Sequence, residues 1–321
     1  MKIWGFEDEA EIRDVYPARD AERSEHTFND NSRGDPRLRP LAYLRQLEMR
    51  QQQSTDLARA PIGVFDSGAG GLTILSSLRQ RLPHEDYIYL GDTAHCPYGT
   101  RSEAEITELS LQACRFLIEQ GVKLIVVACN TASQAALATL RATYPAIPFI
   151  GVVPAVKPAS RMTKRGRIGI AATNRASKAA YLRQLIDDYA SGLQVYAVGC
   201  PELVTLVEAG QLEGPEVEET LRHSFAPLIT QDVDVIVLGC THFPALRSAI
   251  ERVVGPQVQV IDSGSAIGRR THSVLDTEGL LYPDESHEGA LQIWCSGDAQ
   301  HFSEVASKVL GLPITACNAH I

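Results

Sequence analysis

The chain contains one local design twice. A run of β-branched residues leads to a cysteine where a strand would end, a polar residue follows, and a helical pattern comes next. Lys123 to Val127 (KLIVV) runs into Ala128-Cys129-Asn130-Thr131, and Asp234 to Leu238 (DVIVL) runs into Gly239-Cys240-Thr241-His242. Short apolar runs of this kind fit strands buried on both faces. A cysteine at the carboxyl end of such a strand sits where open α/β sheets bind ligands. A helix beginning beside it favours its thiolate. Taken singly, each cysteine is equally well explained as a small buried hydrophobe. The matched pair points instead to two thiols acting from opposite sides of one substrate.

The surroundings repeat as well. From Pro61, strands and helices alternate. Ile62-Gly63-Val64-Phe65 reads as a first strand, ending in Asp66-Ser67-Gly68-Ala69-Gly70-Gly71 and a helix spaced on Leu72, Leu75, Leu78 and Leu82. Tyr87 to Leu90 is a second strand, and Cys96-Pro97-Tyr98-Gly99 is turn chemistry. Ser102 with Glu105 forms a capping box for a helix closed by Gly121. Helices are expected over 132–144, 202–209, 215–230, 263–281 and 299–310, and strands over 149–153, 193–198, 258–261 and 291–295. Ile168-Gly169-Ile170 restarts the pattern of Ile62-Gly63-Val64 at nearly the offset that separates Cys129 from Cys240. Helices between strands imply parallel sheets. The expected fold is therefore α/β: two similar parallel-sheet domains related by a pseudo-twofold, with the site in the cleft between them.

Residues 1–58 have a different texture, rich in Arg, Asp, Glu and Gln, with only a weak helical period over Leu41 to Met49. They read as an N-terminal extension, partly disordered or regulatory. The seven cysteines are scattered, which suits reduced thiols rather than a disulfide framework. A net charge of −9 argues against a nucleic-acid footprint. No apolar run approaches the ~20 residues of a membrane helix, and the acidic start lacks a signal-peptide core. A cytoplasmic protein, without membrane or nucleic-acid partners, is expected.

Several chemistries compete for these residues. The Asp66–Gly71 loop lacks the dinucleotide fingerprint, since Thr73 stands where a glycine is needed, and no Gly-Lys-Ser/Thr follows. Its backbone N–H groups still suit a carboxylate. Asp66 reads either as an acid/base partner or as a helix cap. Cys240 and His242 are separated by one residue, not the two to four usual in paired zinc ligands, and no metal is expected. A Cys–His hydrolase would use Cys240 and His242 but leaves Cys129 unexplained. Two thiols flanking a carbon acid account for the symmetry. One removes a proton and the other supplies one, with Asp66 and His242 as partners. No flavin or pyridoxal site is evident, so no cofactor is expected.

These residues resemble the cofactor-independent glutamate racemases of the Asp/Glu racemase superfamily. The resemblance rests on Val64-Phe65-Asp66-Ser67-Gly68-Ala69-Gly70-Gly71-Leu72, Pro97-Tyr98-Gly99, Val126 to Ser133, Leu238 to Pro244, and Ile261-Asp262-Ser263-Gly264. It implies that Cys129 deprotonates D-glutamate and Cys240 L-glutamate, assisted by Asp66 and His242, with Glu208 as a further carboxylate. It implies substrate contacts from Ser67, Pro97, Tyr98, Gly99, Asn130, Thr131, Thr173 and Thr241. The domains implied are 59–153 plus 262–321, carrying Cys129, and 154–261, carrying Cys240. The reaction would supply D-glutamate for peptidoglycan. Residues 151–159 resemble a group with N-terminal extensions in which a muramyl-peptide nucleotide activates; homodimers are common in the family. Two positions depart from the pattern. Ala176 replaces a second threonine, and Cys96 replaces an apolar residue. A racemase for aspartate or another acidic compound, and a ligand-binding relative without turnover, remain open.

Overall fold

Runs that are apolar throughout become central strands, because only a strand covered on both faces can bury every residue. In the computed structural model, which describes residues 55–321, ten strands are β1 (Ile62–Asp66), β2 (Tyr87–Gly91), β3 (Leu124–Val127), β4 (Phe149–Gly151), β5 (Arg167–Ala172), β6 (Gln194–Gly199), β7 (Val235–Leu238), β8 (Gln259–Ile261), β9 (Leu291–Cys295) and β10 (Ala316–Asn318). They form two sheets whose strand pairs are all parallel, in the orders β10-β9-β2-β1-β3-β4 and β6-β5-β7-β8. The chain is thus α/β with two parallel sheets, as its alternating pattern predicts. The order β2-β1-β3-β4 in the first sheet is matched by β6-β5-β7-β8 in the second, so the sequence repeat is a repeat of topology. Of the extension read over residues 1–58, residues 1–54 lie outside the described residues, and so does the weak helical period over Leu41 to Met49, while residues 55–58 are helical.

Period-two alternation fills both faces of each sheet. Ile62, Val64, Leu124 and Val126 share one core cluster, while Phe65, Ile125 and Val127 share the next. Ile236 and Leu238 pack on one face of the second sheet, and Val235 and Val237 on the other. Helix α1 (Leu72–Arg81) buries Leu72, Ile74, Leu75 and Leu78. Helix α2 (Glu103–Glu119) starts at Ser102, whose hydroxyl accepts from the Glu105 N–H, and Gly121 beyond its end has a φ of 76°. The other helices are α3 (Asn130–Thr143), α4 (Val156–Met162), α5 (Ala180–Tyr189), α6 (Pro201–Glu208), α7 (Pro215–Thr230), α8 (Arg247–Val254), α9 (Gly264–Thr277) and α10 (Ala299–Leu310). α4 and β10 were not expected from the sequence: the first is a short helix containing Pro158, the second a three-residue edge strand. Among the described residues no helix is long and apolar enough to cross a membrane.

A buried ion pair pins the start of β3. Lys123 Nζ lies 2.5 Å from Glu85 Oε2 and donates to the Ala58 carbonyl, with both charged side chains almost wholly hidden. Glu85 Oε1 accepts from the Tyr282 N–H at 2.9 Å. Burial pulls the Lys123 pKa down, against the carboxylate that holds it up. Removing one partner leaves the other charge uncompensated in a dry site. Lys123→Met should therefore cost about 3–5 kcal/mol in urea unfolding, and adding Glu85→Gln should recover part of that loss. A single variant as stable as the parent would show that the pair contributes nothing.

Candidate active site

In each sheet the chain runs from the central strand outward on one side and returns on the other, which makes a switch point between β1 and β3 and another between β5 and β7. Ligands bind at such points because the loops diverge there. Ala128 N–H donates to the Phe65 carbonyl and Gly239 N–H to the Ala171 carbonyl, each at 2.7 Å. The next residue in each case is the cysteine, so Cys129 and Cys240 leave their sheets at the same step. Both line one cavity of about 20 Å³, together with Ser67, Pro97, Tyr98, Gly99, Asn130, Thr131, Thr173, Val204, Thr241 and His242. All eight residues expected to contact substrate are therefore brought together with the two cysteines and His242. Asp66 and Glu208 stand behind this lining and bond to it.

The glycine loop makes close approach possible. A Cβ on Gly70 would fall 2.3 Å from His242 Nδ1, and one on Gly68 would fall 2.0 Å from Glu208 Oε1. Asp66 is fully buried; its Oδ1 accepts from the Gly68 N–H at 2.8 Å and its Oδ2 from the Thr241 hydroxyl at 3.1 Å. It thus caps its own loop and joins the two strand ends, and the two sequence readings of Asp66 coexist. Glu208, the last residue of α6, accepts from the Ala69 N–H at 2.7 Å and pairs with His242 Nε2 at 2.5 Å. The other ring nitrogen, Nδ1, lies 3.7 Å from Cys240 Sγ. Cys129 Sγ lies 3.5 Å from the Ser67 hydroxyl and accepts from the Ala132 N–H at the start of α3.

Burial dominates the electrostatics. It raises the Cys129 thiol to about 12, with the nearby Asp66 charge adding to it and the Ala132 N–H and Ser67 opposing it. The helix end does favour the thiolate, as the sequence suggests, but desolvation overrides it, and resting Cys129 is a thiol. Burial also raises Asp66, against the pull of His242 and Gly68. For His242, burial disfavours the imidazolium, yet hydrogen bonds to Cys240, Cys96 and Glu208 outweigh it, and its pKa stands well above 6.5. Burial pushes the Glu208 pKa up, but His242 and the Ala69 N–H bring it below its ordinary value.

A family model for Asp/Glu/Hydantoin racemase matches residues 71–271. A curated glutamate racemase of Herpetosiphon aurantiacus is 46% identical over 245 residues, covering 76% of this chain and 96% of that protein. One from Pseudomonas aeruginosa strain PAO1 is 40% identical over 254 residues, covering 79% and 95%. The chain belongs to the Asp/Glu/hydantoin racemase family. Solved structures agree. Glutamate racemase of Escherichia coli, in complex with L-glutamate and the activator UDP-MurNAc-Ala, superposes with a TM-score of 0.72 at 34% identity, covering 81% of this chain and 97% of that one. The Francisella tularensis enzyme in complex with D-glutamate gives 0.70 at 30% identity, covering 82% and 98%.

Against the family pattern, the structure settles what Ala176 does. It is buried, carries no hydroxyl, and its N–H donates to Thr173 Oγ1 at 3.2 Å. Thr131 Oγ1 lies 3.5 Å from the same oxygen, so Thr173 and Thr131 supply the hydroxyls at this wall. Val204, on α6, was not singled out from the sequence, where it is one apolar residue among several on an amphipathic helix. The His242–Glu208 pair also sets pH limits on the closed site. The raised His242 pKa gives stability that is complete below 6.5 and lost as pH rises through the folded value. The lowered Glu208 pKa gives stability present above 4.5 and lost on acidification through the folded value. Glu208→Gln should lower the midpoint of His242, read by NMR titration of the imidazole, by about a unit or more. An unchanged midpoint would show that the carboxylate is not what holds the proton there.

Proposed function

We infer that the protein is a glutamate racemase, inverting the α-carbon by proton transfer between two thiols on opposite faces of the substrate. The carrying observation is the pair of cysteines leaving matching strands at the same step onto one cavity. With L-glutamate, the Cys240 thiolate takes the α-proton: the Cα–H bond breaks and an S–H bond forms. The Cys129 thiol then delivers its proton to the opposite face, and its S–H bond electrons stay on sulfur. D-glutamate reacts by the same steps reversed. His242 accepts from or donates to Cys240 through Nδ1, and Asp66 serves Cys129. Asn130 Oδ1, buried with no hydrogen-bond partner among the described residues, is a natural acceptor for the substrate ammonium. The hydroxyls of Thr131, Thr173 and Thr241, with Ser67 and the Pro97-Tyr98-Gly99 turn, complete the polar walls.

A cavity of about 20 Å³ holds roughly one water, far less than glutamate needs. The site must open for substrate and close for chemistry, which also excludes water. The opening parts are the two domains, 59–153 with 262–321 and 154–261. The chain crosses between them twice, and at the crossing Ser263 Oγ donates to the Val153 carbonyl at 2.5 Å.

The product, D-glutamate, feeds cytoplasmic peptidoglycan synthesis. Activation by UDP-N-acetylmuramoyl-L-alanine follows the Escherichia coli relative, whose structure carries it, and a homodimer is the expected assembly. Incubation with L-glutamate in deuterated water should give α-deuterated product of both configurations. L-aspartate should remain unexchanged, and exchange of aspartate alone would redirect the assignment. Cys129→Ser and Cys240→Ser should each lower racemisation by about 10²–10⁴-fold, the usual worth of a positioned acid or base. Full activity in either removes the two-base mechanism. Titration of the nucleotide into full-length protein should raise the rate; a flat response removes the regulatory reading.

A further inference from the structure

Three donors of different kinds meet behind the cavity wall. One sulfur of Cys96, one carboxylate oxygen of Glu208 and one ring nitrogen of His242 all lie within 4.8 Å of one another. They come from three distant segments: the turn before Pro97, the end of α6, and the loop after β7. We propose that Cys96, Glu208 and His242 form a binding site for zinc, and that its occupation inhibits the enzyme.

The geometry and the donor set both suit that ion. Bonds of about 2.0–2.3 Å place the ligands of a tetrahedral zinc roughly 3.3–3.7 Å apart. Small side-chain shifts therefore bring the three donors onto one centre. His242 Nε2 already faces Glu208, which leaves Nδ1 on Cys240. One thiolate, one imidazole and one carboxylate match a borderline-soft ion, with a fourth position open for water or a substrate oxygen. Gly68 leaves the space around the donors, since a Cβ there would stand 2.0 Å from Glu208 Oε1 and 3.0 Å from Cys96 Sγ. Charge points the same way. The Glu208 carboxylate is paired with the largely buried His242, and a divalent cation can replace the imidazolium in that pair.

On binding, the Cys96 thiol and the His242 imidazolium each release a proton to solvent, and the ion takes the sulfur and nitrogen lone pairs. With the ion on Nε2, His242 keeps its Nδ1 proton but can no longer form the imidazolium that exchanges a proton with Cys240. Because the ligands come from separate segments, the ion also holds the closed arrangement against substrate entry. The inhibitory consequence rests on the role of His242 proposed above; the binding itself does not.

Cobalt(II) and zinc titrations of the full-length enzyme test this. Cobalt should bind with one equivalent and give a thiolate-to-metal charge-transfer absorption that zinc bleaches. Zinc should inhibit racemisation reversibly, with activity restored by a chelator. Cys96→Ser should keep racemising, lose the absorption, and need at least tenfold more zinc for half-inhibition. Absence of the band in the parent enzyme overturns the site. A band and inhibition unchanged in Cys96→Ser also overturn it, because the metal would then sit on Cys129 and Cys240. A band without inhibition keeps the site and overturns the inhibitory role, whatever substrate the enzyme racemises.

Discussion

Water has almost no room where the two pairs of strand ends meet, and the chemistry there follows from that exclusion. In a low-dielectric space an isolated charge is costly, so each ionisable group either stays neutral or finds a partner. Cys129 and Asp66 shift toward their neutral forms because burial outweighs the bonds they make. His242 and Glu208 remain charged because each bonds the other. Titratable groups whose environments push their pKa values apart mark acid and base roles. The same dry space strengthens every hydrogen bond that meets the substrate.

The backbone makes this exclusion possible. Two strands leaving at equivalent switch points bring their cysteines onto one cavity, but the loop between β1 and α1 must also let His242 and Glu208 come close. Side chains at Gly68 or Gly70 would occupy the positions those atoms hold. Asp66, Thr241, Ala69 and Glu208 then tie the loops together by hydrogen bonds. Fold and site are thus one constraint: the loop that opens α1 meets the ion pair only because Gly68 and Gly70 leave it room.

Much of this was legible in the sequence because it is local. The strand-cysteine repeat is a pattern of period and position, and it survives as matching sheet orders. The capping box at Ser102 and the turn at Gly121 are read from spacing, and the lining residues from Ser67 to Thr241 follow from the family resemblance that the local motifs carry. Cross-sheet distances are not encoded that way. Nothing in the order of residues shows that Cys96 joins His242 and Glu208, or that Asp66 meets Thr241, since these pairs form only when two sheets pack. The protonation of Cys129 fails for a similar reason. A helix N-terminus is visible in sequence, whereas complete burial is a property of the assembled core. α4 escaped notice because Pro158 lies within its seven residues, and β10 because three residues carry no period.

The resting protonation of Cys129 bears on direction without biasing the outcome. On the two-thiol mechanism proposed above, a protonated Cys129 is ready to donate to a substrate deprotonated from the Cys240 side. In that mechanism one turnover moves the proton to the other side, and the enzyme would then suit the opposite substrate until protons redistribute through His242, Asp66 and entering water. Enantiomers have equal free energy in water, so neither state of the thiols can shift their final ratio. What the buried groups control is the cost of resetting. Every group that keeps the cavity dry for proton transfer from carbon also slows the return of the proton. Opening of the cleft relieves both constraints at once, admitting substrate and water in the same motion.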